Sequence, residues 1–220
     1  MKPVPSGCLI AGVGIPAAGK TSVLRRTSAM NGWRYWAEPE EAEWPEAISM
    51  QSDVGNFTAI SCFRAMRIPK LYDAKACANA GAVAVIDSYY DVLMSRYLEA
   101  PDMDWLISRQ NPYFDLTVGM ARLDHLTLPK ADVMVFFRVT FPTWERLVAS
   151  RRRYLDMNTV FPSAFAFQET LLSAAKLEAL SSKTSLFIYE QEYSSIEESA
   201  AKLSEQLRSH LVSKTIKNPL

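Results

Sequence analysis

The sequence predicts an α/β fold built around a parallel β-sheet, and two observations support this. Five short apolar segments alternate with longer stretches of helical character along the 220 residues. Two of the segments show little alternation of apolar and polar residues, which is typical of strands buried on both faces. Strands that alternate with helices form βαβ units, in which helices cover both faces of a parallel sheet.

Each predicted strand is short, and several are rich in β-branched or aromatic residues, which favours strand over helix. The predicted strands are residues 8–13, 34–37, 82–86, 133–139 and 185–189. The predicted helices are residues 21–30, 57–80, 89–98, 142–153, 164–181 and 196–212. We expect one domain over residues 1–213 and a flexible tail over residues 214–220.

The composition disfavours several classes of function. Lysine plus arginine numbers 24 and aspartate plus glutamate numbers 24, so the net charge is zero, whereas a general nucleic-acid binder needs a basic excess. Three cysteines and two histidines predict neither a disulfide framework nor a zinc site. No apolar run approaches the length of a membrane span. We therefore expect a cytoplasmic protein with no nucleic-acid or membrane partner.

The strongest motif is Gly14-Ile-Pro-Ala-Ala-Gly19-Lys20-Thr21, which matches the phosphate-binding pattern G-x-x-x-x-G-K-[ST]. A predicted strand precedes it and a predicted helix follows, as this loop requires. Its backbone N–H groups and the helix N-terminus attract phosphate, so Lys20 is expected to reach the β- and γ-phosphates of ATP and Thr21 to hold Mg²⁺. The predicted nucleotide-binding residues here are Gly14, Ile15, Pro16, Ala17, Ala18, Gly19, Lys20, Thr21 and Ser22.

A carboxylate follows the third predicted strand. Asp87 ends the apolar segment at residues 82–86, and ligands of open α/β sheets bind beyond the carboxyl ends of the strands. Asp87 is therefore a candidate to hold Mg²⁺ or to act on an acceptor. It is also a candidate N-cap for the next helix, and the two interpretations are compatible.

A second carboxylate, Glu38, follows the second predicted strand. Pro39 disfavours helix at Glu38 and keeps this residue extended. Glu38 is a candidate general base for an acceptor hydroxyl. The alternative is a solvated loop acid among its acidic neighbours.

Four arginines, Arg146, Arg151, Arg152 and Arg153, lie in or at the end of the predicted helix at residues 142–153. Consecutive helical residues point about 100° apart, so three adjacent arginines cannot share one solvent face. We predict a lid at about residues 150–163, in which Arg151 and Arg153 stabilise the transferred phosphoryl group while Arg146 and Arg152 bind nucleotide. The alternative is favourable charge at a helix C-terminus.

Taken in order, these motifs resemble the thymidylate kinase and deoxynucleoside kinase group of P-loop kinases. Glu38-Pro39 with Trp44 soon after resembles the Glu-Pro segment of deoxynucleoside kinases, and residues 57–67 resemble the helix that lines their base pocket. Residues 85–91 resemble the Asp-Arg-Tyr-x-Asp segment of thymidylate kinases, and the arginine run resembles the lid. The strand at residues 186–189 and the helix after it resemble the last strand and helix of the group.

The resemblance implies a three-layer sandwich with a five-stranded parallel sheet in the order 2-3-1-4-5 and an arginine-bearing lid. It implies transfer of the γ-phosphate of ATP·Mg²⁺ to a nucleoside 5′-hydroxyl that Glu38 activates, and it suggests a homodimer. A nucleoside monophosphate or a non-nucleoside hydroxyl compound is the alternative acceptor. The candidate acceptor-binding residues are Glu38, Trp44, Phe57, Phe63, Arg64, Arg67 and Tyr89.

The sequence departs from the group at the acceptor site. Ser88 stands where both branches usually have an arginine, and Arg64 or Arg67 is available to supply the missing cation. Thr58 stands at or near the glutamine that reads the base in deoxynucleoside kinases. Two other functions remain open: a nucleotide-dependent switch that hydrolyses, and a member of the group that binds without turnover.

Overall fold

The computed structural model describes residues 7–49, 51–151 and 161–217. Its five strands form one parallel sheet in the order β2-β3-β1-β4-β5, which confirms the predicted topology. The strands are β1 (Cys8–Val13), β2 (Arg34–Trp36), β3 (Val83–Ile86), β4 (Val133–Val139) and β5 (Ser185–Gln191).

The central strands are buried because their side chains are apolar on both faces. Every residue of β1 is buried, and in β4 the exposed residue is Arg138. The register places the ends of neighbouring strands together: Trp36 of β2 pairs with Ile86 of β3, and Ala11 of β1 pairs with the same residue. The chain therefore leaves β1, β2 and β3 at one edge of the sheet.

The helices cover the two faces of this sheet. They are α1 (Lys20–Asn31), α2 (Glu46–Ser49), α3 (Gln51–Asn79), α4 (Tyr90–Tyr97), α5 (Phe114–Thr127), α6 (Phe141–Arg151), α7 (Phe161–Ser181) and α8 (Ile196–Lys217). Helices α1 and α8 pack against each other, and α4 packs against α5 and α7. Helix α3 is broken at Gly55, whose φ of +73° is not helical.

Helices α5 and α8 differ from the sequence prediction. Helix α5 was not predicted, because leucines at positions 116, 123 and 126 lie exposed on its outer side and obscure the apolar periodicity. Helix α8 continues to Lys217, beyond residue 214, where the tail was expected to begin. Among the described residues, no helix is both long and apolar enough to cross a bilayer.

Candidate active site

The phosphate-binding motif forms the turn between β1 and α1. Gly19 adopts a left-handed conformation with φ of +80° directly before the first helical residue, Lys20. Gly14 has φ of +149°, and a Cβ at this position would lie 2.8 Å from the carbonyl oxygen of Phe137. Ala17 also has a positive φ, of +61°. The glycines thus allow a backbone path that most side chains would strain or block.

The side chain of Lys20 folds back over this loop. Its Nζ donates to the carbonyl oxygen of Ile15 at 3.0 Å, and it lies 5.7 Å from the centre of the Tyr90 ring. Tyr90 in turn donates to the carbonyl oxygen of Gly14. Gly12 lies against Leu24: a Cβ there would be 2.4 Å from Leu24 Cδ1.

Asp87 lies beside the loop and is fully buried. Tyr35 Oη donates to Asp87 Oδ2 at 3.1 Å, whereas Oδ1 accepts no hydrogen bond from a described residue. Burial raises the pKa of Asp87 to about 6, although the charge of Lys20 and a hydrogen bond from Thr21 lower it. Asp87 does not cap α4, because the N-cap position belongs to Tyr89 and carries no side-chain cap.

These groups fit a magnesium ion that is held mainly by phosphate. The described residues contain no cluster of three or more histidine, cysteine, aspartate or glutamate side chains that could hold a metal. Mg²⁺ in nucleotide sites needs only one or two protein oxygens besides phosphates and waters. The unpartnered Oδ1 of Asp87 and the hydroxyl of Thr21 are such oxygens.

Glu38 lines the same cavity as the loop and faces an arginine of α3. Its Oε1 is 3.8 Å from Nη1 of Arg67. Arg67 is also held by Asp91 of α4, which accepts hydrogen bonds from Nε and Nη2, each at 2.8 Å. Burial lowers the pKa of Arg67, but the charges of Asp91 and Glu38 outweigh this and raise it above its ordinary value.

Two of the predicted aromatic residues line the same cavity. Trp44 and Phe63 meet edge to face with ring centres 4.9 Å apart, and Trp44 Nε1 donates to the carbonyl oxygen of Pro39 at 3.1 Å. The guanidinium of Arg67 lies 5.8 Å from the Phe63 ring. Further aromatic lining that the sequence prediction missed comes from Tyr90, Tyr97, Trp105, Phe167 and Tyr193.

Three predicted acceptor-binding residues do not line the cavity. Phe57 stacks on Tyr113, with ring centres 4.6 Å apart. Arg64 donates two hydrogen bonds of 2.6 Å to Asp124 of α5. Tyr89 is buried in the core, where its hydroxyl accepts a hydrogen bond from the backbone N–H of residue 131. Phe57 and Arg64 turn toward α5 or the residue before it, and Tyr89 points into the core, so the structure does not bring these three to the cavity and their acceptor-binding role stays a prediction.

The arginine run falls largely outside the described residues. Residues 152–160, including Arg152 and Arg153, are not described, and neither is the side chain of Arg151. Arg146 is exposed on α6, with its guanidinium 5.6 Å from the centre of the Tyr193 ring. Its role in nucleotide binding, like the lid, stays a prediction. The sequence prediction missed Trp144, whose Nε1 donates to the carbonyl oxygen of Pro16 at 2.9 Å and ties α6 to the loop.

The phosphate-binding loop, Glu38, Arg67 and the aromatic residues Trp44 and Phe63 line one cavity of about 740 Å³. Such a volume accommodates a ligand of nucleotide size. Gly14, Ile15 and Asp87 lie behind its surface rather than in it. The predicted site residues that line it are Pro16, Ala17, Ala18, Gly19, Lys20, Thr21, Ser22, Glu38, Trp44, Phe63 and Arg67.

Solved structures share this architecture. The deoxyadenosine kinase of M. mycoides with bound dATP matches with a TM-score of 0.66 at 14% identity, over 90% of this chain and 98% of that chain. The thymidylate kinase of Candida albicans matches with a TM-score of 0.61 at 15% identity, over 93% of this chain and 92% of that chain. The fold is that of a P-loop kinase. A second M. mycoides deoxyadenosine kinase structure, with the products dCMP and dCDP bound, has the same P-loop kinase fold, with a TM-score of 0.66.

The likeness to these P-loop kinases lies in the structures rather than in the sequences. No protein-family model matches the chain, and no curated protein sequence matches it. At 14–15% identity the comparison establishes the fold. The function has to be argued from the site itself.

Proposed function

We propose that the protein is an ATP- and Mg²⁺-dependent phosphotransferase that moves the γ-phosphate to a nucleoside 5′-hydroxyl. One observation carries this proposal: Lys20 and Thr21 line the same cavity as Glu38 and Arg67. A phosphate-binding loop and a carboxylate that can accept a proton thus face a shared space. Phosphoryl transfer depends mainly on such positioning and on electrostatic stabilisation.

The donor would lie along the loop. The first N–H groups of α1 and the positive end of its dipole favour the phosphates, and Lys20 neutralises charge on them. Thr21 and Asp87 would hold the metal ion, which would supply neutralisation of phosphate charge. Tyr193 lines the cavity, and Arg146 lies against its ring outside the lining, so both are candidates to contact the rest of the nucleotide.

The acceptor would lie between Glu38 and the aromatic wall. Glu38 accepts the proton of the hydroxyl as the hydroxyl oxygen forms a bond to the γ-phosphorus. The bond from that phosphorus to the β–γ bridging oxygen breaks, and ADP leaves. Trp44 and Phe63 would pack against the ring of the acceptor. The arginines at residues 151–153 are proposed to close over the transferred group, as the sequence predicts.

The ligands named with the M. mycoides structures support a nucleoside or nucleotide as the ligand class, since dATP, dCMP and dCDP all carry a base and a sugar. The likeness to a thymidylate kinase favours a second candidate, phosphorylation of a nucleoside monophosphate. A homodimer and a cytoplasmic location remain proposals from the sequence.

Thermal stabilisation tests the proposal and does not require that the acceptor be identified first. The protein is melted with Mg·ATP, and then with Mg·ADP combined with a panel of nucleosides and nucleoside monophosphates. A ligand at ~100 times its Kd adds about 2.7 kcal/mol, which corresponds to roughly 5–10 °C for a protein of this size. We expect Mg·ATP to raise the melting temperature. We also expect nucleosides to raise it above the value measured with Mg·ADP.

Two variants control this experiment. Lys20→Met should lose the stabilisation by Mg·ATP, whereas Lys183→Met, at an exposed position far along the chain, should keep it. Stabilisation by Mg·ATP with no response to any nucleoside or nucleotide would contradict the acceptor class and point to other hydroxyl compounds. No response to Mg·ATP would contradict the proposed function as a whole.

A further inference from the structure

Arg67 lines the cavity but does not belong to the phosphate-binding loop, so the chemistry of that loop does not explain why its charge is buried there. Its side chain is 11% exposed, and that of its partner Asp91 is 8% exposed. Three different elements meet here: Arg67 comes from α3, Asp91 from α4, and Glu38 from the segment after β2. A bidentate arginine–carboxylate pair fixes the plane of the guanidinium as well as its position.

The orientation that Asp91 imposes leaves one nitrogen of Arg67 for the cavity. Nε and Nη2 are bonded to Asp91, and Nη1 faces Oε1 of Glu38 at 3.8 Å. The rings of Phe63 and Tyr90 lie 5.8 and 5.9 Å from the guanidinium carbon and restrict it further. Glu38 is therefore faced by a cation that cannot easily change its position.

The net charge around Arg67 affects which acceptors can bind. Among the described residues that line the cavity, the cations are Lys20, Arg25 and Arg67. Lys20 belongs to the phosphate loop, and Arg25 donates to Glu40 at 2.7 Å. Arg67 faces two carboxylates, so the group formed with Asp91 and Glu38 carries a net negative charge. A second phosphate brought to this point would meet repulsion rather than a free cation.

We propose that Arg67, held by Asp91, is the positioning residue for Glu38, and that this arrangement restricts the acceptor to a compound whose reacting end is an uncharged hydroxyl. The inference rests on the proposed phosphotransferase function. In this proposal Arg67 of α3 is the cation near the acceptor, a place that the resembled kinases usually fill with an arginine where this sequence has Ser88. Ser88 itself is buried and does not line the cavity.

Helix α3 provides a matched control for this role. Arg64 makes the same kind of bidentate pair with Asp124, one turn from Arg67 on the same helix, but it does not line the cavity. Neutralising either pair removes an arginine together with its carboxylate partner, so neither Asp91 nor Asp124 is left as a buried charge without its partner. The Arg64 side chain is 32% exposed, against 11% for Arg67. The double variants are Arg67→Gln with Asp91→Asn, and Arg64→Gln with Asp124→Asn.

The experiment compares steady-state phosphoryl transfer by the full-length protein with a nucleoside and with its 5′-monophosphate. For the unmodified protein we expect kcat/KM for the nucleoside to exceed that for the monophosphate by roughly 100-fold. In the Arg67→Gln, Asp91→Asn variant, kcat should fall about 100-fold, because Glu38 is no longer held in line with the acceptor hydroxyl, and the acceptor KM should change less than about fivefold.

In the Arg64→Gln, Asp124→Asn variant, both constants should stay within about twofold of the unmodified protein. Arg67→Lys, which keeps the charge but loses the bidentate geometry, should recover part of kcat.

Several outcomes would overturn the inference. Equal losses in both double variants would mean that the Arg67 pair acts through stability alone, and an unchanged kcat would remove its positioning role. Equal use of nucleoside and monophosphate would refute the charge argument. All three presuppose that the unmodified protein transfers phosphate. If it transfers to no acceptor, the proposed function fails instead, so the two failures are distinguishable.

Discussion

The hydroxyl of Tyr35 donates a hydrogen bond of 3.1 Å to the carboxylate of Asp87, and so joins the second strand to the end of the third. This contact holds one oxygen of a fully buried carboxylate and leaves the other without a partner among the described residues. Burial without full hydrogen bonding disfavours the ionised form. The ionised form of Asp87, which is proposed to hold the metal, therefore lowers the stability of the folded protein.

The burial of the Asp87 carboxylate predicts how the stability difference between the unmodified protein and an Asp87→Asn variant depends on pH. The pKa of Asp87 is raised from 3.8 to about 6, so the folded state binds the proton more tightly than the unfolded state. Stability of the unmodified protein should therefore fall as the pH rises between these values, and the full cost is present above pH 6. Without metal at pH 8, we expect Asp87→Asn to be more stable by on the order of 2–3 kcal/mol.

Urea denaturation with a metal chelator, at pH 4 and pH 8, measures this difference. The two proteins should have nearly equal stability at pH 4. A variant that is less stable at pH 8, or one whose advantage is the same at both values, would contradict the assignment. The same variant should lose most of its stabilisation by Mg·ATP, because it lacks the carboxylate proposed to hold the metal.

A pair of glycine substitutions tests the loop geometry. Gly14→Ala would place a Cβ 2.8 Å from the carbonyl oxygen and 3.1 Å from the Cβ of Phe137, at φ of +149°. We expect it to lower the free energy of unfolding by roughly 2–4 kcal/mol. Gly119→Ala, within α5 and with no atom within 4 Å of the new Cβ, should raise it by about 0.5–1 kcal/mol. Equal effects in denaturation would contradict the described loop.

Two phenylalanines of α3 test which face of this helix meets the acceptor. Phe63 lines the cavity against Trp44, so Phe63→Leu should raise the acceptor KM about 3–10-fold with little change in the KM for ATP. Phe57 stacks on Tyr113 outside the cavity, so Phe57→Leu should leave the acceptor KM unchanged. Steady-state kinetics of the two variants would contradict this arrangement if Phe57→Leu had the larger effect on acceptor KM.

The sequence sufficed for the sheet and the loop because both depend on local patterns. Apolar segments of strand length predicted all five strands, and the phosphate-binding motif predicted the turn that Gly14 and Gly19 form. Glu38 and Asp87 follow the second and third predicted strands, and parallel strands end at the same edge of a sheet. The register that pairs Trp36 with Ile86 supports this.

The expectations for α3 differ from the structure where an element distant in the sequence decides which way a side chain points. Residues 60, 63 and 67 of α3 are three or four apart and line the cavity, whereas Phe57 and Arg64 are seven apart and contact Tyr113 and Asp124. These partners belong to α5 or directly precede it, and the sequence did not predict α5. Without α5, no sequence pattern indicated that side chains on two faces of α3 contact other parts of the protein. The partnership of Arg67 with Asp91 is likewise a long-range contact that no local pattern predicts.

The most direct test of the account is a transfer assay with ATP labelled in the γ-phosphate and a panel of nucleosides and monophosphates. It should be run on the unmodified protein, on Glu38→Gln and on Glu169→Gln, a control at an exposed position of α7. We predict labelled nucleoside 5′-monophosphate from the unmodified protein and from Glu169→Gln, with a rate about 100–10,000-fold lower for Glu38→Gln. ATP that binds without forming labelled product with any acceptor, or an undiminished rate in Glu38→Gln, would contradict the account.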